Sequence, residues 1–184
     1  TIAGNLHKLD RPFFVLATQN PIEHEGTYPL PEAQLDRFMF NILLDYPPFN
    51  HEVEIVKTTT SFGTVTINKI MGKEEILLYQ QLIKKVPVTD NVVEYAVKLV
   101  HKTRPRTVDA SRVAEDYLEW GAGPRASQFL VTAAKCNALL KGKYSPDIED
   151  VVEIAKPALR HRLIRNFKAE AESVTVDKII EDLL

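Results

Sequence analysis

An unbroken apolar run that ends on a polar amide most constrains the fold of this chain. Phe13 to Ala17 contains no polar residue, and Asn20-Pro21 follows three positions later. Continuous apolar runs of this length are typical of strands that are covered on both faces in a parallel sheet. Because a proline disfavours the helical region for the preceding residue, Asn20 is extended and the predicted strand ends near Thr18.

A second buried strand is predicted at Phe38 to Leu44, where apolar residues occupy both faces. The composition changes over Thr59 to Asn68, and from Lys73 onward the hydrophobic spacing is helical. We therefore place a domain boundary after residue 59. The sequence predicts an α/β remnant of a parallel sheet in residues 1–59 and an all-α helical bundle in residues 60–184, so that the chain is mainly α overall.

Composition excludes several classes of protein. The formal net charge of −2 and the pI near 6.2 argue against a general nucleic-acid binder. A single cysteine excludes an internal disulfide and suits a reducing compartment. No apolar run reaches the roughly 18 residues that a membrane span requires, and Thr1 to Leu6 does not read as a signal peptide. We therefore expect a cytoplasmic protein without a membrane span.

Two polar residues near the predicted strands are candidates for phosphate chemistry. Asn20 follows the carboxyl end of a strand, where an amide can orient a water for attack on a phosphate. The alternative is an ordinary turn residue, since Asn-Pro commonly begins a turn. Arg37 lies at the end of a short predicted helix, and a guanidinium there can neutralise a phosphate across a subunit boundary. The alternative is a solvated arginine beside Asp36.

A third candidate, Arg125, lies in the first turn of a helix predicted from Pro124 to Leu140. The helix dipole disfavours a cation at this end by about 0.3–1 kcal/mol. A bound anion would reverse the sign, because the helix N-terminus and the arginine would then both attract it. The alternative is an exposed arginine whose charge is screened by salt.

The remaining charged clusters favour structural interpretations. The basic stretch from Arg160 to Arg162, continued by Arg165 and Lys168, could contact nucleic acid or an acidic partner, but a solvated helix face is favoured. The histidines lack metal-ligand spacing and no pair of catalytic carboxylates is recognisable, so no metal site is predicted.

Three local predictions concern the helical part. Ser145 caps a helix whose first residue is Pro146, and Pro157 breaks that helix. A short helix that begins at Arg112 ends at Trp120, which anchors the bundle.

Three segments together resemble the MoxR family of AAA+ ATPases, over essentially the whole chain. The resemblance implies that Asn20 is the sensor-1 residue, that Arg37 is the arginine finger acting on ATP bound by the neighbouring subunit, and that Arg125 is the sensor-2 arginine of a helical lid. In the related helix-2-insert clade the lid is displaced, so action of Arg125 in cis or in trans stays open. The matching segments are Phe14–Glu23, Glu25–Phe38 and Gly121–Ser127, supported by Leu159–Leu163.

The resemblance further implies a hexameric, Mg-ATP-driven chaperone that activates partner complexes, such as methanol dehydrogenase or proteins with a von Willebrand A domain. The chain departs from the family pattern, because it has no G-x-x-x-x-G-K-[ST] loop and no acidic strand-end pair for Mg²⁺. The chain alone is therefore predicted to be inactive, with ATP and Mg²⁺ held mainly by upstream groups. Two alternatives stay open: a non-enzymatic helical interaction module, and a magnesium-chelatase-like or DNA-associated AAA+ motor.

Overall fold

The computed structural model describes residues 4–19, 30–61 and 67–184. The predicted sensor-1 residue, Asn20, lies outside these ranges. The chain divides into two compact units, residues 1–13 with 42–78 and residues 14–41 with 79–184. The boundary predicted after residue 59 stays a prediction. Within the described ranges, every helix is too short or too polar to cross a lipid bilayer.

The described part of the chain is mainly helical, as predicted, and its elements follow one another in chain order. Two very short strands pair antiparallel, Leu118 opposite Arg165. A 3₁₀ turn covers Arg160–Arg162, between the helix that ends at Leu159 and the strand that begins at Ile164. The elements are α1 (Glu32–Leu35), α2 (Phe49–Thr59), α3 (Lys73–Lys85), α4 (Asp90–Lys102), α5 (Arg112–Tyr117), β1 (Leu118–Trp120), α6 (Pro124–Leu140), α7 (Ile148–Leu159), β2 (Ile164–Arg165), α8 (Phe167–Ala171) and α9 (Val176–Leu183).

The two predicted parallel strands do not form a ladder among the described residues. Phe13 to Ala17 and Phe38 to Leu44 carry no regular secondary structure, and their apolar side chains are largely exposed. A strand needs neighbouring strands to satisfy its backbone groups. Here the carbonyls of Phe38, Met39 and Asn41 instead accept hydrogen bonds from arginine and histidine side chains of the second unit. The parallel sheet stays a prediction.

The core of the second unit lies where α4, α6, α7 and α9 pack together. Helix α6 begins as predicted, with Pro124 in the first turn after Gly123. Its buried face is rich in alanine, which lets the neighbouring helices approach closely. Each large aliphatic side chain that is fully buried contributes about 1.5–3 kcal/mol to stability. The fully buried leucine and isoleucine side chains are Leu99, Leu130, Leu159, Ile179 and Ile180.

The predicted start of α7 is wrong by two residues. The helix begins at Ile148, and its cap is Asp147, whose side chain accepts from the Asp150 amide at 3.1 Å. The Asp147 amide in turn donates to the Asp150 carboxylate at 3.0 Å. These two hydrogen bonds form a capping box and satisfy two backbone donors. Ser145 instead donates its hydroxyl to the Pro87 carbonyl at 3.2 Å. The Lys143 ammonium beside Asp147 holds the pKa of that carboxyl at about 2.

The predicted break at Pro157 is also wrong. Helix α7 continues through the proline to Leu159, because the residues around it are buried against α6 and α9. This packing outweighs the weakened backbone bonding, which alone disfavours an interior proline by about 3 kcal/mol. The Pro157 carbonyl accepts a hydrogen bond from the Asn41 amide at 2.9 Å, and this contact ties the segment after α1 to the helix.

Trp120 does not anchor the bundle. The predicted helix from Arg112 ends at Tyr117, because the next residues pair with β2 instead. The Trp120 side chain is 61% exposed, and the Arg106 guanidinium lies 5.6 Å from its ring centroid.

The link between β1 and α6 depends on a close backbone approach at Gly121. A Cβ placed on this residue would lie 2.2 Å from the Thr103 carbonyl oxygen and 2.5 Å from its carbon. Thr103 is fully buried, and its hydroxyl accepts from the Ala122 amide at 3.0 Å while donating to the Val100 carbonyl at 2.6 Å. These contacts fix the start of α6 against the end of α4.

Replacing Gly121 with alanine is expected to lower the free energy of unfolding by about 2 kcal/mol or more, because the clash is with backbone that cannot move independently. The matched control is Gly123→Ala, where an added Cβ meets no described atom within 4 Å. Loss of a glycine cap there is expected to cost less than about 1 kcal/mol. Urea unfolding of both variants measures the difference, and equal losses would contradict the close approach.

Candidate functional site

The segment that carries Arg37 follows directly on the single turn of α1. The Asp36 amide donates to the Glu32 carbonyl at 2.9 Å, and the Phe38 amide donates to the Leu35 carbonyl at 3.0 Å. These bonds continue the turn around Arg37, whose own amide reaches the Gln34 carbonyl. The Arg37 side chain is exposed and forms no salt bridge with any residue in the described ranges. The segment therefore presents a permanently charged guanidinium to solvent.

The buried guanidinium of Arg162 forms hydrogen bonds with this segment. The Arg162 side chain is 1% exposed and makes five hydrogen bonds to described residues. One of them is to the Ala158 carbonyl, four residues earlier in the chain. Its Nε donates to Asp36 Oδ1 at 2.9 Å, and its Nη2 donates to the carbonyls of Asp36 at 2.9 Å and Phe38 at 2.5 Å. The Phe129 ring centroid lies 5.1 Å from the guanidinium carbon. Burial lowers the pKa of Arg162 and the Asp36 carboxylate opposes that shift, so the group stays charged at neutral pH.

Arg160 and His161, which precede Arg162 in the chain, bind the same segment. Arg160 forms a two-pronged pair with Asp177, at 2.7 and 2.6 Å, and its Nη1 donates to the Asn41 carbonyl at 2.9 Å. This pairing lowers the pKa of the Asp177 carboxyl. The His161 Nε2 donates to the Phe38 carbonyl at 3.0 Å.

The prediction that the basic stretch is a solvated helix face is wrong for these residues. Arg160 and Arg162 turn inward because the segment after α1 offers them a carboxylate and several carbonyls. Burial, helped by the Arg162 charge, lowers the pKa of His161, which favours the neutral imidazole. These hydrogen bonds and ion pairs occupy most of the donors that Arg160, His161 and Arg162 could offer to nucleic acid or an acidic partner.

Arg125 reaches the same carboxylate from the start of α6. Its Nη1 donates to Asp36 Oδ2, while Asp36 Oδ1 accepts from Arg162. The sequence leaves two interpretations open for Arg125, a bound anion and an exposed arginine, and the anion that contacts its guanidinium in the structure is the side chain of Asp36. The Arg125 side chain is 44% exposed.

The structure connects one predicted site residue, Arg125, to the segment that carries another. Arg125 contacts Asp36, and Arg37 is the next residue in the chain. The Asp36 carboxylate faces the two guanidinium groups of Arg125 and Arg162, so these three side chains together carry a net positive charge. Asp36 and Arg162 were not predicted as site residues, although both lie inside the segments that carry the family resemblance.

The cluster fits phosphate better than metal. Arginine side chains have no lone pair to offer a cation, whereas their planar forks match phosphate oxygens. Among residues 4–19, 30–61 and 67–184, no three histidine, cysteine, aspartate or glutamate side chains are grouped to hold a metal ion.

Replacing Asp36 with alanine is expected to lower the free energy of unfolding by about 2–3 kcal/mol, because the buried Arg162 loses its counter-ion. Replacing Arg125 with alanine breaks only the exposed half of the cluster and is expected to cost less than about 1 kcal/mol. Urea unfolding at low and high salt measures both. Equal losses, or a loss at Asp36 that disappears in high salt, would contradict the assignment of Arg162 as the buried partner.

Comparison with known proteins identifies related families and structures. Residues 1–40 match the ATPase family associated with various cellular activities (AAA), and residues 110–183 match the AAA lid domain. The structure superposes on the crystal structure of a protein classed as an ATPase from Cytophaga hutchinsonii with a TM-score of 0.89 at 38% identity. That match covers 100% of this chain and 56% of the other.

Relatives known by sequence give the same result. Uncharacterized protein YeaC of Bacillus subtilis is 35% identical over 100% of this chain and 55% of its own length. Chaperone MoxR1 of Mycobacterium tuberculosis is 35% identical over 100% of this chain and 48% of its own length. Protein MoxR of Methylorubrum extorquens is 26% identical over 81% of this chain and 47% of its own length. The chain spans about half the length of the curated relatives it matches. It belongs to the MoxR family of AAA+ ATPases and corresponds to their C-terminal portion.

Proposed function

We propose that this chain is part of an ATP-driven chaperone, in which it presents two arginines to the ATP of a neighbouring subunit. The observation that carries the proposal is that Arg125 contacts Asp36, the residue directly before the exposed Arg37. Arg37 has no salt bridge among the described residues, and the contact of Arg125 is with the Asp36 carboxylate. In this proposal both guanidinium groups reach one polyphosphate, whose oxygens match their planar forks.

Arg37 has the role of an arginine finger in this proposal. When bound, Mg-ATP supplies the γ-phosphoryl group that is transferred to water. Negative charge spreads over the γ-phosphate oxygens during this transfer, and a guanidinium fork can donate to two of them. Because Arg37 projects from a fixed turn into solvent, it can enter the nucleotide site of another subunit.

Arg125 has the role of a second phosphate sensor. Only its Nη1 is engaged with Asp36, so the remaining donors are available to a phosphate oxygen without loss of that contact. We propose that both arginines serve the same nucleotide, because Arg125 is bound to the residue before Arg37. If Arg37 acts in trans, we infer that Arg125 acts in trans as well. The sensor-1 role of Asn20 stays a prediction.

We extend the proposal to the whole assembly. A ring of subunits, expected to be a hexamer, would use ATP hydrolysis to activate or assemble client proteins. The names Chaperone MoxR1 and Protein MoxR among the relatives support a chaperone role. A methanol dehydrogenase client, a client with a von Willebrand A domain, Mg²⁺ as the cofactor ion and a cytoplasmic location rest on the family resemblance alone.

The alternative of an interaction module is less well supported. It relies on the basic stretch from Arg160 to Lys168, and several of these side chains are engaged within the chain. Arg160 pairs with Asp177, and Lys168 pairs with Asp116. None of the described contacts favours a magnesium-chelatase-like motor.

Replacing Arg37 with alanine in the complete ATPase is expected to lower turnover by about 10³-fold or more, while ATP affinity changes little, because the arginine acts on charge that develops in the transition state. The matched control is Arg112→Ala, which removes an exposed arginine whose nearest carboxylate, Asp116, is 3.8 Å away. Steady-state hydrolysis and equilibrium binding of a fluorescent ATP analogue measure the two quantities. Unchanged turnover would remove the finger role from Arg37.

A further inference from the structure

We propose that Arg162 is a positioning residue, which fixes Arg37 and Arg125 relative to each other so that both reach the same phosphates. This inference rests on the proposed function. Arg162 itself is buried and cannot touch the nucleotide, so it acts through the residues that it binds.

Arg162 forms hydrogen bonds with the backbone on both sides of Arg37. Arg162 donates to the carbonyl of the preceding residue, Asp36, and to that of the following residue, Phe38. The exposed side chain of Arg37 has no salt bridge of its own in the described ranges. The direction in which Arg37 projects is therefore set by the hydrogen bonds of its neighbours.

Arg162 is also connected to Arg125, through the carboxylate of Asp36. The carboxylate of Asp36 uses Oδ1 for Arg162 and Oδ2 for Arg125. The hydrogen bond from the buried Nε to Oδ1, at 2.9 Å, opposes rotation of the carboxylate and directs Oδ2 at Arg125. One buried guanidinium thus orients both exposed ones.

The chain offers a matched control for this role. Arg160 belongs to the same 3₁₀ turn, is also largely buried, and forms a two-pronged ion pair with Asp177. It binds the same segment, but at Asn41, four residues beyond Arg37. Its loss should weaken the fold in a similar way while leaving the contacts on both sides of Arg37 intact.

The test compares Arg162→Gln, Arg162→Lys and Arg160→Gln in the complete ATPase. Misplacement of a catalytic group by about 1 Å can reduce the rate by about 10²-fold. We expect Arg162→Gln to lower kcat by about that factor while the KM for ATP stays within about 2-fold. Arg162→Lys keeps the charge but loses the fork, so an intermediate loss is expected. Arg160→Gln should change kcat by less than about 3-fold.

Subunit mixing separates positioning from general damage. An Arg162→Gln subunit keeps its own phosphate loop, whereas a subunit with the phosphate-loop lysine replaced keeps an intact Arg37. Mixing the two should restore hydrolysis, because some interfaces then pair a working loop with a well-placed arginine. Mixing Arg162→Gln with Arg37→Ala subunits should not restore it.

A readout without catalysis completes the test. Hydrogen exchange of the amides in residues 34–41 should become faster in Arg162→Gln than in Arg160→Gln. Two results would overturn the positioning role. One is loss of ATP binding in Arg162→Gln. The other is a mixture of Arg162→Gln with phosphate-loop-lysine variant subunits that fails to recover, when a mixture of Arg37→Ala with the same subunits does recover. If Arg37→Ala keeps full turnover, the proposed function fails instead. If only Arg37→Ala loses turnover, the positioning inference alone fails.

Discussion

The buried ion pair between Arg162 and Asp36 is the contact on which the rest of the site depends. It joins groups that are 126 residues apart in the sequence. On one side it fixes the turn that presents Arg37, and on the other it directs a carboxylate oxygen at Arg125. A guanidinium taken out of water carries a desolvation penalty of several kcal/mol, which only excellent geometry offsets. Arg162 meets that requirement, because a carboxylate and backbone carbonyls surround it.

The same contact explains why the segment after α1 belongs with the helical bundle. Residues 14–41 group with residues 79–184, and the hydrogen bonds from the 3₁₀ turn to Asp36, Phe38 and Asn41 account for the link. In a nucleotide-driven assembly, this link gives the bundle direct control over where Arg37 points.

Much of the helical part could be predicted from the sequence. Helix α6 has the predicted bounds, because its hydrophobic period is regular and Pro124 marks its start. The inward turn of Arg162 could not be predicted, since an R-H-R run is usually solvated and only the distant Asp36 makes its burial favourable. Helix α7 likewise passes through Pro157 because of packing that local propensity does not encode.

The central claim is that Arg37 and Arg125 meet at one nucleotide with Arg162 holding them in place. A structure of the complete ATPase with a non-hydrolysable ATP analogue tests it most directly. We expect guanidinium nitrogens of both arginines to lie about 3 Å from γ-phosphate oxygens of the neighbouring subunit's nucleotide. We also expect the contact between Asp36 and Arg162 to be kept. Arginines that lie too far from any nucleotide for even a water-bridged contact would contradict it.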